Sequence, residues 1–238
     1  MKQKRSLGQN FFINEHLGEK IVNTILKEES EHITEIGPGD GFFTGKLHSK
    51  WKNITVIEKD DNLSQMLSYK YNNVIVYNQD FLDFDLTLLP DNTLFFGSLP
   101  YNMAKPIIKK IISSGKFTKP AFFIIQKEVA EKYIAKEPDN NLLSLLAQSY
   151  SQPQKIFDIG RDSFRPKPKV TSSLIKFLPD KKYQIPEDFE LFLQKAFKQP
   201  RKTIRNNLQI KNSAEIFSKR PSELSLTEYL ELFNQNLI

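Results

Sequence analysis

The chain has no cysteine, three histidines and one tryptophan among its 238 residues. Without cysteine it can form neither disulfides nor thiolate metal sites, a composition that suits a reducing compartment. His16, His32 and His48 are dispersed and give no zinc-ligand spacing, so no metal is expected. No apolar run approaches the ~18 residues that read as a membrane span, so no membrane association is expected. Met1 to Arg5 lead at once into Gly8-Gln9-Asn10-Phe11, leaving no room for a secretory core or a transit peptide. The expectation is a soluble, cytoplasmic protein.

What is present suits a globular fold. Hydrophobic residues make up 39% of the chain, aromatics 12% and charged residues 26%, enough for a core and too apolar for disorder. The length fits one large domain, or a main domain with a small appendix. A formal charge of +6 points modestly to a polyanionic partner.

Residues 15–28 carry Leu17, Ile21, Val22, Ile25 and Leu26 on one helical face. Short apolar runs then alternate with helical stretches: Ile33–Ile36, Ile54–Ile57, Val74–Tyr77, Leu94–Gly97 and Ala121–Ile125. Such spacing is that of βα units building a parallel sheet. Ile156–Ile159 and Ser172–Leu178 flank a Pro/Lys-rich loop and read as a terminal antiparallel pair. After Pro179 the strand signals stop, and helical patterns follow at Phe189–Phe197, Arg201–Leu208 and Leu226–Phe233. The expected fold is α/β and Rossmann-like, with a mostly parallel sheet and an antiparallel last strand. The expected division is a main domain over 1–179 and a helical domain over 180–238.

The chemistry-bearing residues gather at the ends of these runs. Glu35-Ile36-Gly37-Pro38-Gly39-Asp40-Gly41 follows the first. Its glycines allow a sharp turn that brings backbone N–H groups close to a ligand at a helix N-terminus. The spacing is Gly-x-Gly-x-Gly, and Phe42 stands where a dinucleotide site has its third glycine. Glu58 ends the second run, where a carboxylate can accept ribose hydroxyls. Asp80 follows the third, where it can take the amino group of an adenine with Phe81 beside the ring. Ser98-Leu99-Pro100-Tyr101 follows the fourth. There the Ser98 oxygen and the Leu99 carbonyl, turned outward by a proline that has no N–H, can accept the hydrogens of an exocyclic amine. Tyr101 can stack on the base. Taken singly, each element also reads as an ordinary turn or a solvated cap. Four in succession at strand C-termini, where open α/β sheets bind ligands, favour a site.

This series resembles the S-adenosylmethionine-dependent methyltransferases. More narrowly it resembles the ribosomal RNA adenine N6,N6-dimethyltransferases of the KsgA type, to which the macrolide-resistance methyltransferases are related. The matching pieces include Leu7-Gly8-Gln9-Asn10-Phe11-Phe12, the glycine turn, Val56-Ile57-Glu58, Asp80-Phe81 and Leu99-Pro100-Tyr101-Asn102. They continue through Gln126-Lys127-Glu128-Val129-Ala130, Phe164-Arg165-Pro166-Lys167-Pro168-Lys169-Val170 and Arg201-Lys202-Thr203-Ile204-Arg205-Asn206-Asn207-Leu208. By resemblance, S-adenosylmethionine is the cofactor. Asn10 and Phe12 would close over it, Gly37 and Gly39 cradle its methionine end, Glu58 takes the ribose, and Asp80 takes the adenine. Ser98, Leu99, Pro100 and Tyr101 would hold the target amine, with Phe164 on the other face of the base. The family usually has Asn where this chain has Ser98, a shorter acceptor that bears on rate and on mono- versus dimethyl product.

The implied reaction is methylation of adenine N6 in ribosomal RNA, with dimethylation of two adjacent adenines in the 3′-terminal hairpin of the small subunit during its assembly. The expected partners are ribosomal RNA and the small subunit or its precursor, and the chain is expected to be monomeric. Lys167, Lys169, Lys198, Arg201, Lys202 and Arg205 are the expected phosphate contacts, with Arg201, Lys202 and Arg205 partly sharing a helix face and Lys4-Arg5 joining them. Three alternatives remain at this point: a methyltransferase-like ribosome-assembly or transcription factor with little activity, a large-subunit ribosomal RNA methyltransferase, and a nicotinamide-dependent oxidoreductase. The glycine spacing and the lack of a catalytic His or Lys constellation disfavour the last.

Overall fold

Runs rich in isoleucine, valine and phenylalanine favour extended backbone, because branched and aromatic side chains pack well on a pleated surface. In the computed structural model, which describes residues 10–211 and 214–235, each predicted run is a strand. They are β2 (His32–Ile36), β3 (Asn53–Glu58), β4 (Val74–Asn78), β5 (Leu94–Ser98) and β6 (Ala121–Gln126), preceded by a short β1 (Phe11–Phe12). Between them lie α1 (Glu15–Ile25), α2 (Phe42–His48), α3 (Asp61–Lys70) and α4 (Ala104–Ile112). The α1 face predicted from periodicity is buried at Ile21, Val22 and Ile25. Asn14 caps this helix, accepting the Leu17 N–H. Asp60 caps α3 in the same way through Asn62 and Leu63.

Further along come α5 (Lys127–Ile134), α6 (Leu142–Gln148), β7 (Ser151–Ile159), β8 (Phe164–Arg165) and β9 (Ser172–Pro179). The main sheet has the order β4-β3-β2-β5-β6-β9-β7. Strands β4 to β6 of that order pair in parallel, and β9 runs antiparallel to β6. The predicted pair of late strands is therefore present as neighbours, with β9 inside and β7 at the edge. From β2 the chain moves outward to β3 and β4, then returns to the other side of β2 as β5. Reversal of strand order there leaves a crevice at the carboxyl ends of β2 and β5, the usual ligand site of open α/β sheets.

The chain forms two compact units, residues 1–130 with 154–179, and residues 131–153 with 180–238. The segment 131–153, grouped with the first domain on sequence, joins the C-terminal helices instead. Its ties are local and specific. Asn140 Nδ2 donates to the Leu224 carbonyl at 2.9 Å, the Asn140 N–H to Ser222 at 3.0 Å, and Leu145 enters the helical core. That core gathers Phe189, Phe192, Leu193, Ile204, Phe217, Leu224 and Tyr229. Its helices are α7 (Phe189–Ala196), α8 (Ile204–Leu208) and α9 (Leu226–Asn234).

The basic helix begins at Ile204 and not at Arg201, so Arg201 and Lys202 share no helix face with Arg205. Thr203 is in the extended region and its hydroxyl accepts the Asn206 N–H, a cap that stops the helix from starting earlier. The Asn207 side chain also binds the turn before it, accepting the Gln199 N–H and donating to the Gln199 carbonyl.

Candidate active site

A cavity of about 290 Å³ opens at the β2/β5 crevice. Every residue expected on sequence to hold the cofactor or the target amine lines it: Asn10, Phe12, Gly37, Gly39, Glu58, Asp80, Phe81, Ser98, Leu99, Pro100, Tyr101 and Phe164. Leu7, Gly8, Gln9 and the Lys4-Arg5 pair lie outside the described residues. Among those described, no helix is long and apolar enough to cross a membrane, and no cluster of His, Asp or Glu has the makings of a metal site.

The glycine turn is built around backbone that side chains resist. Gly37, Gly39 and Gly41 have φ of +63°, +60° and +83°. The Gly37 N–H donates to the Ile57 carbonyl at 3.0 Å, tying the turn to β3. Glu58 closes the arrangement: its Oε2 accepts the Gly39 N–H at 3.1 Å and its Oε1 the Asp60 N–H at 2.9 Å. A carboxylate has about four acceptor sites, so Glu58 retains capacity toward the cavity. Burial raises its carboxyl above the usual range, against those two N–H bonds.

Asp80 sits two residues beyond β4. Its Oδ2 accepts from Lys59 Nζ at 2.7 Å and its Oδ1 from the Leu82 N–H at 2.9 Å. The Lys59 bond holds this carboxyl below its ordinary value. Lys110, on α4, anchors the following loop by donating to the carbonyls of Phe81, Leu82 and Phe84 at 3.1, 2.6 and 2.7 Å. The acidic side chain and the ring of Phe81 are thus presented on a stapled loop.

On the other side of the crevice, the Leu99 N–H donates to the Ile124 carbonyl at 3.1 Å and Met103 to Pro100 at 2.9 Å, which folds Ser98–Tyr101 into a turn before α4. Ser98 and Tyr101 are half-buried and Leu99 buried. Tyr101 Oη and Ser172 Oγ share a hydrogen bond of 3.0 Å. Phe164 is buried, edge-on to Phe12 with ring centroids 5.1 Å apart. The two belong to a ribbon in which β1 pairs antiparallel with β8, Phe12 opposite Phe164. It brings Phe11-Phe12 and Phe164-Arg165 together.

Among the polar residues lining the cavity, Glu35, Lys59, Gln79 and Ser172 have no role assigned from the sequence. Glu35 is 2% exposed and accepts a 2.7 Å bond from the Thr44 hydroxyl. Burial pushes its carboxyl up to about 8 despite that bond, with the Glu58 and Asp40 charges adding to the rise. An acid within the short run Ile33-Thr34-Glu35-Ile36, next to its last residue, is the signal the sequence offers. Of the expected phosphate contacts, Lys167, Lys169, Lys198, Arg201 and Lys202 are exposed and Arg205 is half-buried. Lys167 pairs with Asp162 at 2.5 Å.

The residues fit an adenosyl cofactor on the structure's own terms. Positive-φ glycines keep Cβ bulk off the turn that borders the cavity, buried Glu58 keeps acceptor capacity, and Asp80 with Phe81 stands where a base would lie. Fold and site together define an S-adenosylmethionine-dependent methyltransferase. The family model described as ribosomal RNA adenine dimethylase matches residues 1–231, and the chain belongs to that family. A ribosomal RNA small subunit methyltransferase A from Malacoplasma penetrans is 35% identical over 245 residues, covering 96% of this chain and 90% of the relative. Another of that description from Mycoplasma mobile is 34% identical over 247 residues, covering 97% and 96%. Among solved structures, a dimethyladenosine transferase from Plasmodium falciparum superposes with a TM-score of 0.79 at 24% identity, covering 94% of this chain and 96% of that one. The 23S rRNA methyltransferase ErmE gives 0.72 at 22%, covering 95% and 99%. At those identities the two structures speak for the fold. Family membership makes the chain an enzyme that transfers methyl groups from S-adenosylmethionine to adenines of ribosomal RNA, and the non-enzyme and oxidoreductase alternatives fall away.

Proposed function

We propose that this enzyme dimethylates the N6 amines of two adjacent adenines near the 3′ end of small-subunit ribosomal RNA, as a cytoplasmic monomer acting on the subunit or its precursor. The observation that carries the reading is the cavity at the β2/β5 crevice, where a stapled acidic loop and the Ser98–Tyr101 turn face the same space. The small-subunit relatives named above support the choice of subunit.

When bound, S-adenosylmethionine supplies an activated methyl group on a sulfonium centre. Asn10, Phe12, Gly37, Gly39, Glu58, Asp80 and Phe81 are the residues that hold it. The protein's task is then to make the adenine amine a nucleophile. That amine is a poor one because its lone pair is conjugated with the ring. Ser98 Oγ and the Leu99 carbonyl accept its two hydrogens and draw them out of the ring plane, leaving the lone pair on nitrogen. Tyr101 and Phe164 grip the faces of a base that has left its helix, at the cost of unstacking it. Alignment and stabilisation of charge growing on nitrogen supply the rate. No protein base is needed, since the amine proton is lost once nitrogen has become acidic. The exposed cations Lys167, Lys169, Lys198, Arg201 and Lys202, with Arg205, hold phosphates and position the RNA.

Small and large ribosomal subunits stripped of base methylation, each incubated with the protein and methyl-labelled S-adenosylmethionine, test the assignment. Label confined to small-subunit RNA, recovered as N6,N6-dimethyladenosine, is the expected result. Label in large-subunit RNA alone overturns it.

A further inference from the structure

Tyr101 lies in the turn after β5 and is half-buried. Ser172 is different. It opens β9, is fully buried, and faces Gln126 across the β6–β9 ladder. The preceding carbonyl, that of Thr171, accepts the Lys127 N–H at 2.9 Å, so the main chain on both sides of Ser172 is pinned by hydrogen bonds. Its hydroxyl reaches into the cavity wall and meets Tyr101 Oη at 3.0 Å. The two residues are 71 positions apart in the chain, so the bond joins the Ser98–Tyr101 turn to the strand that leaves the Lys167–Lys169 loop.

We infer that Ser172 is a positioning residue for methyl transfer, one that fixes the plane of the Tyr101 ring by holding its hydroxyl against β9. Stacking depends on ring plane and offset, not on proximity alone. A ring free to swivel about χ1 and χ2 would accept the target base in many poses, few of them aligned for transfer. The bond to a rigid strand selects one. Because β9 continues from the segment that carries Lys167 and Lys169, the same bond fixes the base platform relative to the backbone that precedes it. Burial raises the Tyr101 phenol above its ordinary value and the Ser172 bond opposes the rise, consistent with a hydroxyl whose partner here is the protein.

The inference rests on the reading that Tyr101 stacks on the target adenine, and the experiment separates the two. The full-length chain is assayed on small ribosomal subunits lacking N6,N6-dimethyladenosine, with cofactor affinity and melting temperature measured beside kcat and KM. Tyr101→Ala tests stacking itself. Ser172→Ala and Tyr101→Phe remove the same hydrogen bond from its two ends. Each should lower kcat by about 3- to 10-fold, the kinetic equivalent of one modest hydrogen bond, with cofactor affinity and melting temperature kept. The double variant should be no slower than either single one, and Ser172→Thr, which keeps the hydroxyl, should retain the rate. Wild-type kcat in Ser172→Ala, or losses that multiply in the double variant, overturn the positioning role while leaving stacking intact. Should Ser172→Ala fail to fold, Tyr101→Phe with a wild-type rate overturns it equally. Full activity in Tyr101→Ala overturns the stacking reading and this role with it.

Discussion

Lys59 Nζ stands 2.7 Å from Asp80 Oδ2 and joins the residue after β3 to the loop after β4. The lysine side chain is 60% exposed and the aspartate 21%, so solvent screens the pair and its direct worth is small. What it does is hold the Asp80 carboxylate ionised and aimed. Lys59→Met should weaken S-adenosylhomocysteine binding by about 2- to 5-fold near neutral pH, in line with one screened ion pair. The loss should grow on acidification. Asp80 has a lowered carboxyl in the folded protein, so its contribution is present above the unfolded value and disappears as pH falls through the folded one. Without Lys59 that fall begins at higher pH. Calorimetric titrations between pH 4 and 7 check this, and identical profiles for the two proteins would remove Lys59 from the account.

Glu35 shifts the other way. Its carboxyl is pushed up to about 8 by burial, so the folded protein holds a proton there that the unfolded chain has released. Between roughly pH 4.3, the ordinary glutamate value, and 8 the native state binds the extra proton, and stability from this group declines as pH rises across that window. Glu35→Gln, neutral at every pH, should show a flatter dependence of denaturation midpoint on pH than the wild type. Parallel curves would mean that Glu35 is ionised in the folded protein.

The glycine turn offers an internal comparison. Gly37 and Gly39 have nearly the same positive φ, yet a Cβ at Gly37 would meet nothing within 4 Å, whereas at Gly39 it would press on the Phe11 ring at 3.1 Å. Gly37→Ala should therefore cost about 1–2 kcal/mol of backbone strain alone. Gly39→Ala should cost more, and should also displace β1. Urea denaturation of both variants gives the ordering, and equal losses would show that Phe11 yields freely.

The cations of the helical unit divide by burial. Arg201 and Lys202 are exposed, whereas the Nε of Arg205 is buried with no hydrogen-bond partner among the described residues. Arg201→Ala and Lys202→Ala should leave folding unchanged and each reduce the slope of log affinity against log salt by about 0.7 to 0.9 on RNA. Arg205→Ala should shift the melting temperature as well, because its aliphatic stem is part of the packing. If the salt slope stays fixed in the first two variants, they are a solvated face.

Much of this arrangement was legible because it rests on strong local signals. Phe95 and Phe96, or Ile124 and Ile125, can hardly be anything but buried strand, and Glu58 and Ser98 mark where such strands stop. The elements that escaped carry no period. Strands β1 and β8 have two residues each, and their pairing is visible only once Phe12 meets Phe164. Helices α5 and α6 are short, and residues 131–153 join the second unit through Asn140, whose partners lie some eighty positions away. The start of α8 is hidden because cations at i, i+1 and i+4 (Arg201, Lys202 and Arg205) suggest a helix face, while the cap that decides the matter is one threonine hydroxyl. Lys59 and Ser172 look like any surface lysine and any strand serine until distance places Asp80 and Tyr101 against them.

Ser98 is where the central claim meets its most direct measurement. Ribosomal RNA treated with wild-type protein or Ser98→Ala, digested and separated by chromatography, reports N6-methyl- and N6,N6-dimethyladenosine against time. Loss of one acceptor aimed at the amine should slow methylation by about 10- to 1000-fold with cofactor affinity unchanged. The second methylation should suffer more, because monomethyladenine has a single N–H to offer. Equal rates and equal products for the two proteins would contradict the account, for then the Ser98–Tyr101 turn does not hold the reacting nitrogen.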